Sequence, residues 1–199
     1  MADILLGLIR HAPTAWNAAG RLQGTSDLPL SPAGEAEARR MRLPPAMRHW
    51  RRCASPLQRA QRTARLITPP MPVLTVEALR EMSFGAWEGR TLDELRRNGG
   101  LAMAEEEARG LDMRPPDGET PREVILRLRP WLATLHAEAR PVLAISHKGI
   151  QRALLAMATG WAMHDNPPVR LRSRAVHLFA VARGGTVSLL RPNIALASP

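Results

Sequence analysis

Two stretches of the chain, "DILLGLI" at 3–9 and "PVLAIS" at 141–146, are apolar throughout except for Asp3 and Ser146 at their ends and do not alternate with polar residues. A strand with one face in water repeats polar and apolar side chains with a period of two. A strand apolar on both sides must be covered on both faces, and such strands form parallel sheets with helices as the cover. The segments between them fit that plan. "SPAGEAEARRMR" opens with Ser31 as a cap and Pro32 at the first helical position, acids before bases. "WRRCAS" (50–55) reads as a short strand, "PLQRAQRTARLI" (56–67) as a helix and "VLTV" (73–76) as a strand. "TLDELRRN" (91–98) carries a capping box from Thr91 to Glu94. "TPREVILRLRPWLATLHAEA" (120–139) reads as a long helix kinked at Pro130, and "GIQRALLAMAT" (149–159) as a helix. "AVHLFAVA" and "TVSLLR", joined around Gly184-Gly185, read as a hairpin. The alternating Arg170, Arg172 and Arg174 read as one exposed strand face. The expectation is an α/β fold with a mainly parallel central sheet, in a single domain over 1–199.

Composition narrows the function classes. At 199 residues and 45% hydrophobic, the chain can build one sizeable core. No run approaches the roughly 18 apolar residues of a membrane span. The six-residue "ILLGLI" is short for a signal-peptide core and is followed at once by Arg10-His11. The single cysteine, Cys53, excludes an internal disulfide and fits a reducing compartment, so a cytoplasmic protein is expected. The formal net charge of +10 favours anionic partners. The basic residues are scattered, however, and 27 of the 28 are arginine, the pattern of a chain-wide compositional bias. With 4% aromatics there is little on which bases could stack. Neither nucleic acid nor a membrane is expected as partner. Oligomeric state is not legible.

Ligands of open α/β sheets bind beyond the carboxyl ends of the strands. After 3–9 stand Arg10 and His11; after 50–54 come Ser55-Pro56 and, a turn on, Arg59; after 141–146 stands His147. Two arginines and two histidines without an accompanying acid pair point to an anion, most simply a phosphoryl group, which the arginine fork matches through two oxygens. A histidine among cations is biased to its neutral form, which is the nucleophile. A departing alkoxide needs a proton. "REMSFGAWEG" (80–89) offers Glu81 and Glu88, of which Glu81, before the glycine-containing turn, is the better candidate for the acid.

These residues resemble a family. "LIRHAPTAWNAAGRLQGTSDLPLSPAG", "CASPLQRAQRTA", "REMSFGAWEG" and "ISHKGIQRALL" are similar, in order, to the four segments of the histidine phosphatase superfamily, which includes the cofactor-dependent phosphoglycerate mutases. The resemblance implies a three-layer α/β/α sandwich and His11 as a transiently phosphorylated nucleophile. It implies that Arg10, Arg59 and His147 complete a phosphate pocket and that Glu81 is the proton donor and later the base. It places Asn17, Gln23 and Gly24 against the substrate and implies neither a metal nor an organic cofactor. The substrate class implied is a small-molecule phosphate ester. Ala12 and Lys148 stand where the family has glycine. Ala12 would crowd a turn of positive φ. Lys148, the only lysine, would stand at the pocket rim as a cation for a second anionic group. Only 65 residues lie between Glu81 and His147, fewer than the longer insertion of the mutases resembled, so a phosphomonoester hydrolase is the expectation. A phosphoglycerate-type mutase, an α-ribazole phosphatase and a non-catalytic phosphate-binding module are the alternatives. The loops 12–30 and 98–120 are expected to build the leaving-group pocket.

Overall fold

The computed structural model describes residues 3–67 and 71–196; the outermost residues of the expected 1–199 span lie outside them. The elements follow in the order β1 (Ile4–Arg10), α1 (Ala15–Ala18), α2 (Pro32–Arg40), β2 (Arg51–Ala54), α3 (Gln58–Ile67), β3 (Val73–Thr75), α4 (Leu92–Ala108), α5 (Pro121–Thr134), β4 (Val142–Ser146), α6 (Lys148–Thr159), β5 (Ala175–Val181) and β6 (Val187–Ala195). The six strands form one sheet in the order β3-β2-β4-β1-β5-β6. The pairs β3·β2, β2·β4 and β4·β1 are parallel; β5 and β6 add an antiparallel margin.

The unbroken apolar runs are explained by the layers. Val142 and Ala144 of β4 point into a core shared with Leu6 and Leu8 of β1, Leu128 and Leu132 of α5 and Leu154 of α6. Leu143 and Ile145, one residue out of phase, enter a second core with Ile9, Ala38 of α2, and Ala60 and Ala64 of α3. Each central strand thus supplies both cores, and a polar residue on either side would be stranded in one of them. This is the α/β/α sandwich that the apolar runs call for.

The helix starts match their sequence signals. Ser31 accepts the Gly34 amide, and Thr91 and Thr120 form capping boxes with Glu94 and Glu123. Three readings change. The segment expected as a loop at 98–120 is largely helical: α4 runs on to Ala108, reversing at Gly100, whose φ of 51° and ψ of −128° suit only glycine. The helix expected to span 120–139 ends at Thr134, and a 3-10 turn over 135–138 carries the chain to Ala139 at φ 47°. Arg170, Arg172 and Arg174 lie in the loop before β5, where the Arg172 amide donates to Asn193 Oδ1 instead of to a strand ladder.

Candidate active site

The register of the central strands brings three chain reversals to one level. Arg10 pairs with Ser146 and Ala54 with Ile145. The His11 amide donates to Ser146 O at 2.8 Å and the Ser55 amide to Ile145 O at 3.0 Å. Arg10-His11, Ser55 and His147 therefore converge at the carboxyl edge of the sheet.

His11 is buried, and its Nδ1 lies 2.7 Å from the carbonyl of Ala12. A carbonyl only accepts, so Nδ1 carries the proton and Nε2 keeps its lone pair. Burial, then the charges of Arg10 and Arg59, hold the His11 pKa well below the ordinary histidine value. The expectation of a neutral histidine is met, with desolvation ahead of the neighbouring cations as its cause. The His11 turn is tied to α3: Ala12 N donates to Thr63 Oγ1 at 3.0 Å, and that hydroxyl donates to Arg59 O at 2.7 Å. Ala12 is buried and its φ is not in the left-handed region, so its methyl packs in the second core without strain.

The His147 ring lies 5.1 Å from that of His11, centroid to centroid, tilted by 57°. Its Nε2 is 2.7 Å from Ser55 Oγ, which also accepts the Leu57 amide at 3.3 Å. Among the described residues the Ser55 hydroxyl proton has no acceptor besides His147 Nε2, so the other ring nitrogen, Nδ1, is assigned the N–H. Nδ1 is buried and has no partner among the described residues. Burial, then His11, Arg59 and Arg10, lower the His147 pKa well below its usual value. Ser55 was visible in the sequence only as a strand end; its role in orienting His147 needs the β2–β4 register.

Arg59 is wholly buried. Its guanidinium donates to Gly24 O at 2.6 Å and Ser26 O at 2.9 Å, while Nε is unpartnered. Arg10 bonds Ser173 Oγ at 3.2 Å and likewise keeps a free Nε. Gly24 therefore holds an arginine through its carbonyl. A Cβ on it would stand 2.6 Å from Met82 O and 2.7 Å from Phe84 N, which is why the position takes glycine. Gln23 lines the cleft. Its Oε1 accepts Thr14 Oγ1 at 2.7 Å and Asn17 Nδ2 at 3.4 Å, which fixes the amide and leaves Nε2 as an unpartnered donor.

The two candidate acids separate cleanly. Glu88 accepts the amides of Thr25, Ser26 and Phe84 at 2.8, 2.8 and 3.2 Å. Burial, which would raise its pKa, is outweighed by these donors, and the carboxyl lies below its ordinary value. Glu88 is thus an ionised clamp between two loops. Glu81 is buried, and burial raises its pKa despite the Gly149 and Met82 amides and the charges of Arg59 and Arg10. It faces the N-terminus of α6, with Gly149 N donating to Oε2 at 3.1 Å. Its segment is fixed from below, by Ser146 Oγ donating to Leu79 O at 2.7 Å. It is fixed from the side by Arg127, which donates to the carbonyls of Ala78 and Arg80 at 2.6 Å each.

Above these groups opens a cleft of about 760 Å³. Arg10, Asn17, Gln23, Glu81 and Lys148 line it; His11, Arg59 and His147 are buried and are not part of its lining, His11 following Arg10 and His147 preceding Lys148 in the chain. The far wall comes from Arg96, Met103 and Glu107 of α4, and from Met163 and His164. His164 Nδ1 donates to Ala108 O, which ties the two parts of that wall together.

The profile of the histidine phosphatase superfamily (branch 1) matches residues 6–194. The chain belongs to that superfamily. It is 31% identical to a 2,3-bisphosphoglycerate-dependent phosphoglycerate mutase of Methylobacterium radiotolerans, over 92% of each chain. A phosphoserine phosphatase of Entamoeba histolytica, solved with 3-phosphoglyceric acid, superposes with a TM-score of 0.81 at 25% identity over 96% of both chains. A putative α-ribazole-5'-phosphate phosphatase of Escherichia coli shares the fold, with a TM-score of 0.79 at 24% identity over 99% of this chain and all of the other. Mutases and phosphatases thus both occur among the similar proteins. Among the described residues no helix is long and apolar enough to cross a membrane, and no group of three His, Cys, Asp or Glu side chains is placed to hold a metal.

Proposed function

We propose that the protein is a phosphomonoester hydrolase working through a phosphohistidine at His11. The observation that carries the reading is the pairing of pKa values pushed in opposite directions, down for His11 and up for Glu81. A buried histidine held neutral, with Nε2 as its unprotonated nitrogen, and a buried carboxyl whose pKa is raised both lie within reach of the Arg10 and Arg59 charges. His11 Nε2 attacks phosphorus as the bond to the ester oxygen breaks, and Glu81 gives its proton to that oxygen. Arg10 Nε, Arg59 Nε and His147 Nδ1, all buried donors without partners among the described residues, are the groups available to the phosphoryl oxygens. Asn17 and Gln23 stand beside them at the cleft wall. Water then attacks phosphorus and gives a proton to Glu81. The P–N bond breaks, releasing phosphate and restoring both groups.

Hydrolysis is favoured over transfer because the wall of the cleft is open to water: Arg21, Lys148, His164 and Asp165 on its lining are all exposed. The mutase reading has its own support in the similarity to phosphoglycerate mutases. The test is phosphate release from aryl, sugar and glycerate phosphates and from α-ribazole phosphate, with chelator present, on wild type and His11→Ala. Release that survives chelator and vanishes in the variant supports the hydrolase. Isomerisation of 3-phosphoglycerate with little release moves the assignment to a mutase. Neither activity, in a folded protein, leaves a phosphate-binding module.

A further inference from the structure

The cleft is electrostatically unbalanced beyond the phosphate pocket. Its lining includes three acids, and each is engaged. Glu81 faces the α6 amides. Glu107 is bound by Arg96 through two bonds, at 2.8 and 2.9 Å. Asp165 accepts the Trp161 indole N–H at 2.9 Å. Of the lining cations, Arg21 donates to Gly89 O and Arg96 is taken by Glu107. Lys148 and Arg152 remain, one helical turn apart on the same face of α6 and both on the cleft wall. Among the described residues neither has a carboxylate partner.

Arg152 is not a loose surface charge. Its guanidinium carbon lies 4.7 Å from the centroid of the Trp161 ring. The indole is itself buried, and Asp165 fixes its N–H edge. The cation is thus held in place on an aromatic platform. Around Lys148, Arg10, Arg152 and Arg170 are close enough to depress the lysine pKa further, after desolvation, and Glu81 opposes them without cancelling them. Exposed arginines elsewhere do pair with acids, as Arg62 does with Glu35 and Arg122 with Asp112. Like charges that outnumber their counter-charge repel one another, and an anion placed among them relieves that repulsion.

We infer that Lys148 and Arg152 form a second anion subsite, so that the preferred ester carries an oxyanion, carboxylate or phosphate, on its leaving group. This deepens the hydrolase reading and rests on it for the word "leaving". The arrangement is written in residues of this chain: Lys148 is its only lysine and Arg152 is placed by Trp161.

The test compares matched substrates at fixed low ionic strength. 3-Phosphoglycerate and glycerol 3-phosphate share a three-carbon skeleton and differ in a carboxylate against a hydroxymethyl group. Fructose 1,6-bisphosphate against fructose 6-phosphate asks the same of a second phosphate. In wild type at least one anionic member should exceed its neutral partner in kcat/KM by about tenfold or more. That ratio should collapse towards one in Lys148→Ala and in Arg152→Met, which keeps an apolar stem on Trp161, and should survive in Lys148→Arg. The pair that shows the preference tells carboxylate from phosphate. A wild-type ratio near one in both pairs, or a ratio unchanged in both variants, overturns the subsite. Calorimetric binding of 3-phosphoglycerate, fructose 1,6-bisphosphate and inorganic phosphate to wild type and variants judges it independently of turnover. If no ester is hydrolysed, the hydrolase reading fails alone. The subsite then stands if an anionic ester binds about tenfold tighter than phosphate and loses that margin in the variants, and falls if it does not.

Discussion

Gly149 offers a way to displace the proton donor without removing it. A Cβ at this position would overlap Glu81 Oε1 outright, stand 3.1 Å from its Cδ and 3.4 Å from Met82 Cβ. The atom in the way is the end of a side chain, so the backbone can stay while the carboxyl withdraws by about 1 Å. A misplacement of that size costs roughly 100-fold in rate when the group acts in the transition state. Stability should move the other way. Gly149 lies in the first turn of α6 and outside the left-handed region, so alanine fits its backbone and gains part of the roughly 1 kcal/mol by which alanine is favoured over glycine in a helix interior. The assay compares Gly149→Ala with wild type on glycerol 3-phosphate, whose alkoxide must be protonated, and on 4-nitrophenyl phosphate, whose phenolate leaves unaided. The expected outcome is a loss of about 100-fold on the alkyl ester, a much smaller loss on the aryl ester, and a melting temperature no lower than wild type. Equal losses on both esters would place the damage at the phosphate pocket instead of the acid. Full activity on both would refute the placement of Glu81 as donor.

Other perturbations follow from the same geometry. Ser55→Ala removes the hydroxyl that sets the His147 tautomer and should lower kcat/KM about tenfold for about 1 kcal/mol of stability, read by steady-state kinetics and denaturant melts. Arg59→Lys should lose 100-fold or more in kcat/KM, because one ammonium cannot both bond Gly24 O and Ser26 O and present a donor to phosphate. His177 is buried, its Nε2 donating to Arg172 O and its Nδ1 accepting Asn193 N, and desolvation lowers its pKa to about 4. A histidine kept neutral stabilises the fold fully above its unfolded pKa, near 6.5, and the contribution fades as pH falls towards 4. The stability difference between wild type and His177→Gln should therefore narrow by about 3 kcal/mol across that window, measured by urea denaturation. Burial pushes the Cys53 thiol up to about 12, so it should stay unreacted with a disulfide reagent at pH 8 until the protein is unfolded.

The unbroken apolar runs at 3–9 and 141–146 revealed the layers because a doubly covered strand tolerates no alternation, and the strand ends then pointed at Arg10, His11 and His147. What stayed hidden depends on distance through space. Glu81 and Glu88 look alike in sequence; three converging amides make one an ionised clamp and one buried site leaves the other raised. Gly24 read as a substrate contact, and only the folded chain shows that its carbonyl also holds Arg59. Ser55 and Arg152 carried no signal of their own, because the first acts through strand register and the second through a tryptophan in the next loop. The arm at 92–108 read as a loop past residue 98 because Gly99-Gly100 punctuates it, though the helix resumes and Arg96 reaches across the reversal to Glu107.

The central claim is a phosphoryl group carried on His11 Nε2, and it is tested most directly by trapping it. Wild type and His11→Ala would be mixed with excess radiolabelled phosphate ester, quenched within milliseconds, and the protein-bound label assayed for chemical stability. The expected result is label on wild type at up to one phosphate per chain, stable in alkali and lost in acid as a phosphoramidate is, with none on the variant. Phosphate release without any labelled protein, or equal label on His11→Ala, would contradict it.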